Sequence, residues 1–369
     1  MNNLLDNINE TLLMGPGPSS IYPEVYNSIS NFTIGHLDPQ FIEIMDRIKT
    51  YLQVLMGTKN ELTIPISGTG SAGMETCFVN LIEKNEDVLI LSNGVFGERM
   101  IDVCKRLGAN VDFLNTKWGT PITIDMIEKK INKKKYNLIA IVHAETSTGV
   151  LNPISEIAEL IKETNSLFVV DAVTSLGGIE IKMDQWGIDA LYSGTQKCLS
   201  CPPGLSPVSF SDKAVNKLKN RKTKVPNWYL DLSMIANYWS GKKRVYHHTA
   251  PINMVYALYQ SLYNIIEEGA ENVFEKHLNT HKYLLRELKK MNLELLVSKK
   301  YRLPMLNAIK IPSGISDIKV RNTLLKEYNI EIGGGLGVLD GKIWRVGLMG
   351  YTAKKENVDK LFNALSSII

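Results

Sequence analysis

Apolar and polar positions along this chain follow two different periods. Short, nearly unbroken apolar runs occur at Leu62–Ile66, Asp87–Leu91, Leu138–Val142, Leu167–Val170, Asp189–Tyr192 and Pro207–Phe210. Runs this short, bounded by Gly, Ser, Asn or Pro, read as buried strands. Between them apolar residues recur every three or four positions. Met74, Cys77, Phe78, Leu81 and Ile82 predict one helix, and Ile154, Ile157, Ala158 and Ile161 predict another. Asn152 and Pro153 read as the N-cap and first-turn residue of the second. Val95–Leu107 reads as a loop followed by a helix. Upstream, Ile44, Ile48, Leu52 and Leu55 make Phe41–Met56 helical, and Met14–Ser19 (MGPGPS) is a Gly/Pro turn.

Strands alternating with crossover helices predict an α/β fold whose mostly parallel sheet is covered on both faces. After Pro251 the pattern changes. A long helical region, Ala257–Met291, precedes short strands at Asn307–Ile311, Ile330–Ile332 and Ile343–Val346. Helices around Ile318–Lys326 and Val358–Leu365 complete a smaller α+β unit. The expected organisation is an N-terminal arm over 1–14, a large domain over 15–255 and a small domain over 256–369.

Composition mainly excludes. Among 369 residues, 42 basic and 38 acidic side chains leave a net charge of +4. That balance carries no nucleic-acid or anionic-membrane footprint. The densest basic run, Lys129–Lys135, reads as the solvated end of a helix. No apolar run approaches the ~20 residues a membrane span needs. The N-terminal stretch carries Asp6 and Glu10 and no arginine, and Leu365–Ile369 is not a peroxisomal address. Four cysteines do not indicate a disulfide scaffold. A reducing, cytoplasmic setting is expected.

The chemistry centres on Lys197, in Leu191–Pro203 (LYSGTQKCLSCPP). At a strand end walled by neutral residues, desolvation should lower its pKa from about 10.4. A free amine there can form a Schiff base with a carbonyl. The alternative is a packed stem whose head reaches water. Thr69, Gly70 and Ser71 fall where a strand meets a helix, the geometry of a phosphate cradle, although tight turns need glycine anyway. Thr69, Phe96, Glu145, Thr146, Asp171 and Lys197 all lie at or just after strand ends, the edge at which parallel sheets bind ligands. A pyridoxal phosphate site needs a lysine, a carboxylate for the ring nitrogen, an aromatic plate and a phosphate cradle. Lys197, Asp171, Phe96 and Thr69–Ser71 supply these. Arg345, inside the apolar strand Ile343–Val346, needs either an internal carboxylate or an anionic ligand.

Two competing patterns carry less. His143-Ala144-Glu145 with Cys198-x-x-Cys201 is similar to the zinc signature of nucleobase deaminases. Lys197 replaces its proline, however, and two predicted elements separate the halves. His277 and His281 share a helix face without the glutamate of H-E-x-x-H, and read as a solvated face.

The motifs GPGPS, SGTGSAG, HAETSTG, VVDAVTSLGG, YSGTQK, PPG, RVYHHT, GGLG and WRVGLMG occur in this order. Together they resemble the class V pyridoxal-phosphate aminotransferases, in particular the alanine–glyoxylate and serine–pyruvate aminotransferases, from about Leu13 to the C-terminus. The resemblance implies the type I aspartate-aminotransferase fold, a homodimer with shared sites and ping-pong transamination. Alanine or serine would be the donor, and glyoxylate or pyruvate the acceptor. It further implies that Lys197 carries the cofactor as a Schiff base and moves the proton, and that Asp171 pairs with the pyridinium nitrogen. Val173 would pack under the ring. Phe96 would stack on it where the family often has tryptophan. Thr69, Gly70, Ser71 and Gln196 would hold the phosphate, Thr146 the ring substituents, and Arg345 the substrate carboxylate. Tyr246 and Thr249 would reach the phosphate of the other subunit, which the N-terminal arm would wrap. Alternatives are a larger donor of the hydroxykynurenine type, a class V lyase such as a cysteine desulfurase, and, in another class, a zinc deaminase. Lyases of that kind resemble one another in a histidine before the lysine, where Gln196 stands here.

Overall fold

In the computed structural model, which describes residues 3–239 and 244–369, a seven-stranded sheet carries the larger core. Its strands are β1 (Leu62–Ser67), β2 (Asp87–Ser92), β3 (Asn110–Asn115), β4 (Leu138–Val142), β5 (Leu167–Asp171), β6 (Ala190–Tyr192) and β7 (Leu205–Phe210). Their spatial order is β1-β7-β6-β5-β4-β2-β3. All neighbours are parallel except β7, which is antiparallel to both β1 and β6. Every strand but β7 therefore ends at the same edge. Strands β4 and β5 are buried throughout, as expected of strands covered by helices on both faces.

β7 holds a proline between two neighbours, which a central strand normally forbids. Its register resolves the conflict. Pro207 lies opposite Pro65 of β1, so two residues without N–H groups face one another. On its other side Pro207 accepts from the Ser193 amide at 2.7 Å. The Ser193 carbonyl, which a proline cannot reach, takes the Ser206 hydroxyl at 2.5 Å. The loop leaving β6 is thereby satisfied just before Lys197.

The expected helices are present at Pro39–Met56, Gly70–Leu81, Val95–Arg106, Ile154–Lys162, Asp317–Tyr328 and Lys355–Ile368. The long helical region is broken at Gly269 (φ +85°) into Ile252–Glu268 and Ala270–Lys290. Val255, Leu258, Leu262, Ile265 and Val273 pack in the first core, whereas Leu284 and Leu288 pack in a second. We propose that the division of the two units falls within Ala270–Lys290, beyond the position 255 expected from the pattern. The second core lies against a three-stranded antiparallel sheet of Leu306–Lys310, Ile343–Gly347 and Gly333–Gly334, with Ile343–Gly347 central. Leu12–Leu13 pairs with Ile330–Glu331, and Met14 is buried there. No helix among the described residues is long and apolar enough to cross a membrane.

Two local expectations are corrected. Asn152 is not the N-cap of Ile154–Lys162, a place held by Pro153. Its buried side chain accepts from Ile122 N–H at 3.1 Å and donates to the Val142 carbonyl at 2.7 Å. His277 and His281 do not form a solvated face. His277 Nδ1 sits 2.7 Å from the Val273 carbonyl and Nε2 accepts from the Gly350 amide at 2.8 Å. His281 Nδ1 lies 2.7 Å from Asn307 Oδ1. Both are buried because their face turns toward the rest of the protein.

Candidate active site

The carboxyl ends of β5 and β6 bring Asp171 and Lys197 together. Ser193 donates to the Ala172 carbonyl at 3.0 Å, tying the two strand ends. The Lys197 loop closes on itself, since Thr195 donates to the Pro202 carbonyl at 2.6 Å and accepts Cys201 N–H at 3.1 Å. From outside, Ser19 pins it: the hydroxyl donates to the Lys197 carbonyl at 2.7 Å and the amide to the Gln196 carbonyl at 2.9 Å. Lys197 Nζ donates to the Pro16 carbonyl. Gly17 has φ +109°, and a Cβ there would collide with the Lys197 side chain. The GPGPS turn is thus a wall of the site, a role its composition leaves open.

Burial decides the electrostatics. Lys197 is only 8% exposed; burial, then the charge of Arg345, pushes its ammonium down to about 8. Burial raises the Asp171 carboxyl to about 6, against the opposing Val173 N–H, which donates at 2.8 Å. Glu145 is raised by burial to about 7. Lys197 can therefore be discharged near neutral pH while Asp171 stays ionised.

Beside this pair lies a cradle. Thr69 is the N-cap of Gly70–Leu81 without a side-chain cap bond, so first-turn amides are available to an anion. A Cβ on Gly70 would come within 3.2 Å of a Val173 methyl, and one on Gly194 within 3.4 Å of the other. Val173 therefore fills the floor between them. Gln196 Oε1 is buried without a partner. Ser71 lies 3.5 Å from Arg99 Nη1, and the Arg99 guanidinium stands 5.1 Å from the Phe96 ring centre. Thr146 is buried next to Glu145.

Arg345, 7% exposed, enters from the small sheet. Its Nε donates to the Gly334 carbonyl at 2.6 Å and its Nη1 contacts the Thr146 carbonyl at 3.4 Å. Carbonyls, not a carboxylate, hold it. Tyr246 and Thr249 are exposed, their hydroxyls 3.5 Å apart, with the Tyr246 ring 5.0 Å from that of His36. The Cys198 thiol donates to the Thr174 carbonyl at 3.1 Å, and burial pushes it up to about 12. Cys201 is buried likewise. Among the described residues no three His, Cys, Asp or Glu side chains converge as metal ligands.

A model of the aminotransferase class-V family matches residues 13–361. The chain belongs to the class V aminotransferases. It is 40% identical to the alanine–glyoxylate aminotransferase of Rattus norvegicus over 97% of this chain and 87% of that protein. It is 37% identical to the (S)-ureidoglycine–glyoxylate transaminase of Bacillus subtilis, over 97% and 90%. The solved alanine–glyoxylate aminotransferase of Nostoc sp. superposes with a TM-score of 0.96 at 44% identity, covering 100% of this chain and 99% of that one. This class V aminotransferase is a type I fold enzyme whose cofactor is pyridoxal phosphate. The residues present fit that group. A dischargeable buried amine, a buried carboxyl, helix-start amides and the orphaned Oε1 of Gln196, whose amide can turn its NH2 group to an anion, lie around one space.

Proposed function

We propose that this class V aminotransferase moves the amino group of a small amino acid, alanine or serine, to glyoxylate or pyruvate. The observation that carries the reading is that Arg345 reaches from the small sheet to the Thr146 carbonyl beyond β4, near enough to the buried Lys197 for its charge to help lower the pKa of that amine. Glyoxylate is common to the names of the rat and Bacillus relatives, which supports it as acceptor. Arg321, the next cation along, is held by Asp317 through two contacts of 2.8 Å. It is not free for a second carboxylate, which favours monocarboxylate substrates.

Pyridoxal phosphate, when bound, supplies an aldehyde for amino groups and a ring that accepts the electron pair left at the substrate α-carbon. Lys197 is the residue that would bond it, and its released Nζ would carry the proton from the substrate α-carbon to the cofactor, and back again when the 2-oxo acid is the substrate. Asp171 would face the ring nitrogen and favour its protonated form. Val173 and Phe96 would enclose the ring, Thr146 would hold its substituents, and Thr69, Gly70, Ser71 and Gln196 the phosphate. Arg345 would orient the substrate carboxylate through its planar fork. Tyr246 and Thr249, exposed in one chain, would complete the phosphate site of a second copy in a homodimer, which the N-terminal arm would embrace. Four buried unpaired cysteines suit a cytoplasmic setting.

The test is a donor–acceptor matrix on the purified holoenzyme. Alanine with glyoxylate should yield pyruvate and glycine, and borohydride should trap the cofactor on Lys197. Faster turnover of hydroxykynurenine would replace the proposed donor, and sulfide release from cysteine without amino transfer would replace transfer by lyase chemistry.

A further inference from the structure

Glu145 is fully buried on the short strand Ala144–Glu145 that follows β4 and pairs with Val150–Leu151, and the roles above leave it unused. Its two carboxylate oxygens face different donors. Oε2 accepts the Phe96 amide at 3.2 Å. Oε1 accepts the Ser147 amide at 3.0 Å and the Ser147 hydroxyl at 2.6 Å. Ser147 Oγ in turn accepts the Val95 amide at 3.0 Å. Val95 and Phe96 open the helix Val95–Arg106, whose N-cap, Gly94, has no side chain to offer. Unsatisfied first-turn amides and the positive helix end both call for an anion, and Glu145 supplies it from a hairpin some fifty residues away in sequence. Gly94 makes room: a Cβ there would lie 2.4 Å from the Glu145 carboxyl carbon. The next residue, Thr146, offers its carbonyl to Arg345.

We propose that Glu145 is a positioning residue which sets the Phe96 plate against the cofactor ring and registers it with the loop that meets Arg345. The inference rests on the reading that Phe96 stacks on pyridoxal phosphate. An amide cannot substitute for the carboxylate, because each oxygen already faces a backbone N–H. Glutamine must turn its own NH2 group toward one of them, pushing either Phe96 or Ser147 away. The charged groups in its field are Asp171, Lys197 and Arg345. Burial raises Glu145 to about 7, so the ionised, donor-accepting form prevails above that pH.

The experiment is a double-mutant cycle on cofactor affinity, read by titrating apoenzyme with pyridoxal phosphate, with visible circular dichroism reporting ring tilt. Glu145→Gln should weaken binding about tenfold and diminish the dichroic band. In a Phe96→Ala background the same change should cost less than about twofold, since the plate it positions is gone. Ser147→Ala, a milder lesion of the same network, should weaken binding about threefold and show the same loss of effect. It keeps the question answerable if Glu145→Gln does not fold. Additive effects in both cycles would overturn the route from Glu145 through Phe96. A Phe96→Ala chain that binds cofactor as tightly as the native one would overturn the plate itself, and the inference with it.

Discussion

Two buried cations meet in this site from different regions, and the protein treats them oppositely. Lys197 comes from the loop after β6 on the large sheet, Arg345 from the central strand of the small one. Their exposures are nearly equal, 8% and 7%. Burial pushes Lys197 down to about 8 but Arg345 only to about 10. Near neutral pH the lysine can lose its charge and the arginine cannot. The desolvation penalty therefore becomes reactivity in one and a fixed anchor in the other. Their partners match: one carbonyl, Pro16, for the lysine amine, and two, Gly334 and Thr146, for the guanidinium, whose remaining donors are left for a ligand. The same burial serves two opposite purposes.

Replacing the dischargeable cation should do the most damage. Lys197→Ala should slow transamination about 10³-fold or more, because the group that binds cofactor and shuttles the proton is lost. Lys197→Arg should be equally poor, as a guanidinium cannot discharge. Stopped-flow measurement of the half-reaction with alanine checks both; an active arginine variant would end the distinction. Arg345→Ala should raise KM for alanine about 10²-fold with a smaller change in kcat, the signature of a lost charged hydrogen-bond pair. Arg345→Lys should recover only part of that, because an ammonium lacks the fork.

A pH profile sharpens the same contrast without mutation. Capture of pyridoxal phosphate by apoenzyme needs the neutral Lys197 amine. With its pKa lowered to about 8, the capture rate should be flat above that pH and fall tenfold per unit below it. Substrate carboxylate binding by Arg345 should stay level over the same range. A capture rate unchanged down to pH 6 would mean that Lys197 is discharged by something beyond burial and the Arg345 charge.

The lysine side of this comparison was more legible in the chain than its surroundings. Strands β4 and β5 are unbroken apolar runs, so Asp171 at a strand end stands out, as does one lysine among neutral residues. The wall at Pro16 and Gly17 was not legible, because it lies some 180 residues from Lys197 and glycine–proline turns redirect chains everywhere. β3 gives no strand signal because its sequence, NVDFLN, is that of a half-exposed edge with no apolar run. The antiparallel insertion of β7 between β1 and β6 leaves no periodic signature, since both directions bury the same residues. His277 and Asn152 differ from their expected roles because a polar residue at a helix face or start reads as solvated or capping. Whether its partner is water or a distant backbone amide is decided by packing.

The smallest expected effect tests whether Arg345 stands alone. Arg321 sits across Gly334 from it: a Cβ on Gly334 would lie 3.1 Å from the Arg321 guanidinium, while the Gly334 carbonyl holds Arg345. The charge of Arg321 helps lower the Arg345 pKa. Asp317 neutralises Arg321 through its paired 2.8 Å contacts and is itself nearly buried. Asp317→Asn should leave the helix Asp317–Tyr328 in place while releasing that charge. A partly exposed pair is worth about 1 kcal/mol or less, so the gain should be modest. We expect kcat/KM for aspartate, measured against that for alanine, to rise about threefold. If the ratio does not move, the second cation lies outside the reach of substrate. Selectivity for small monocarboxylates would then come from the space around Arg345 rather than from the neutralisation of its neighbour.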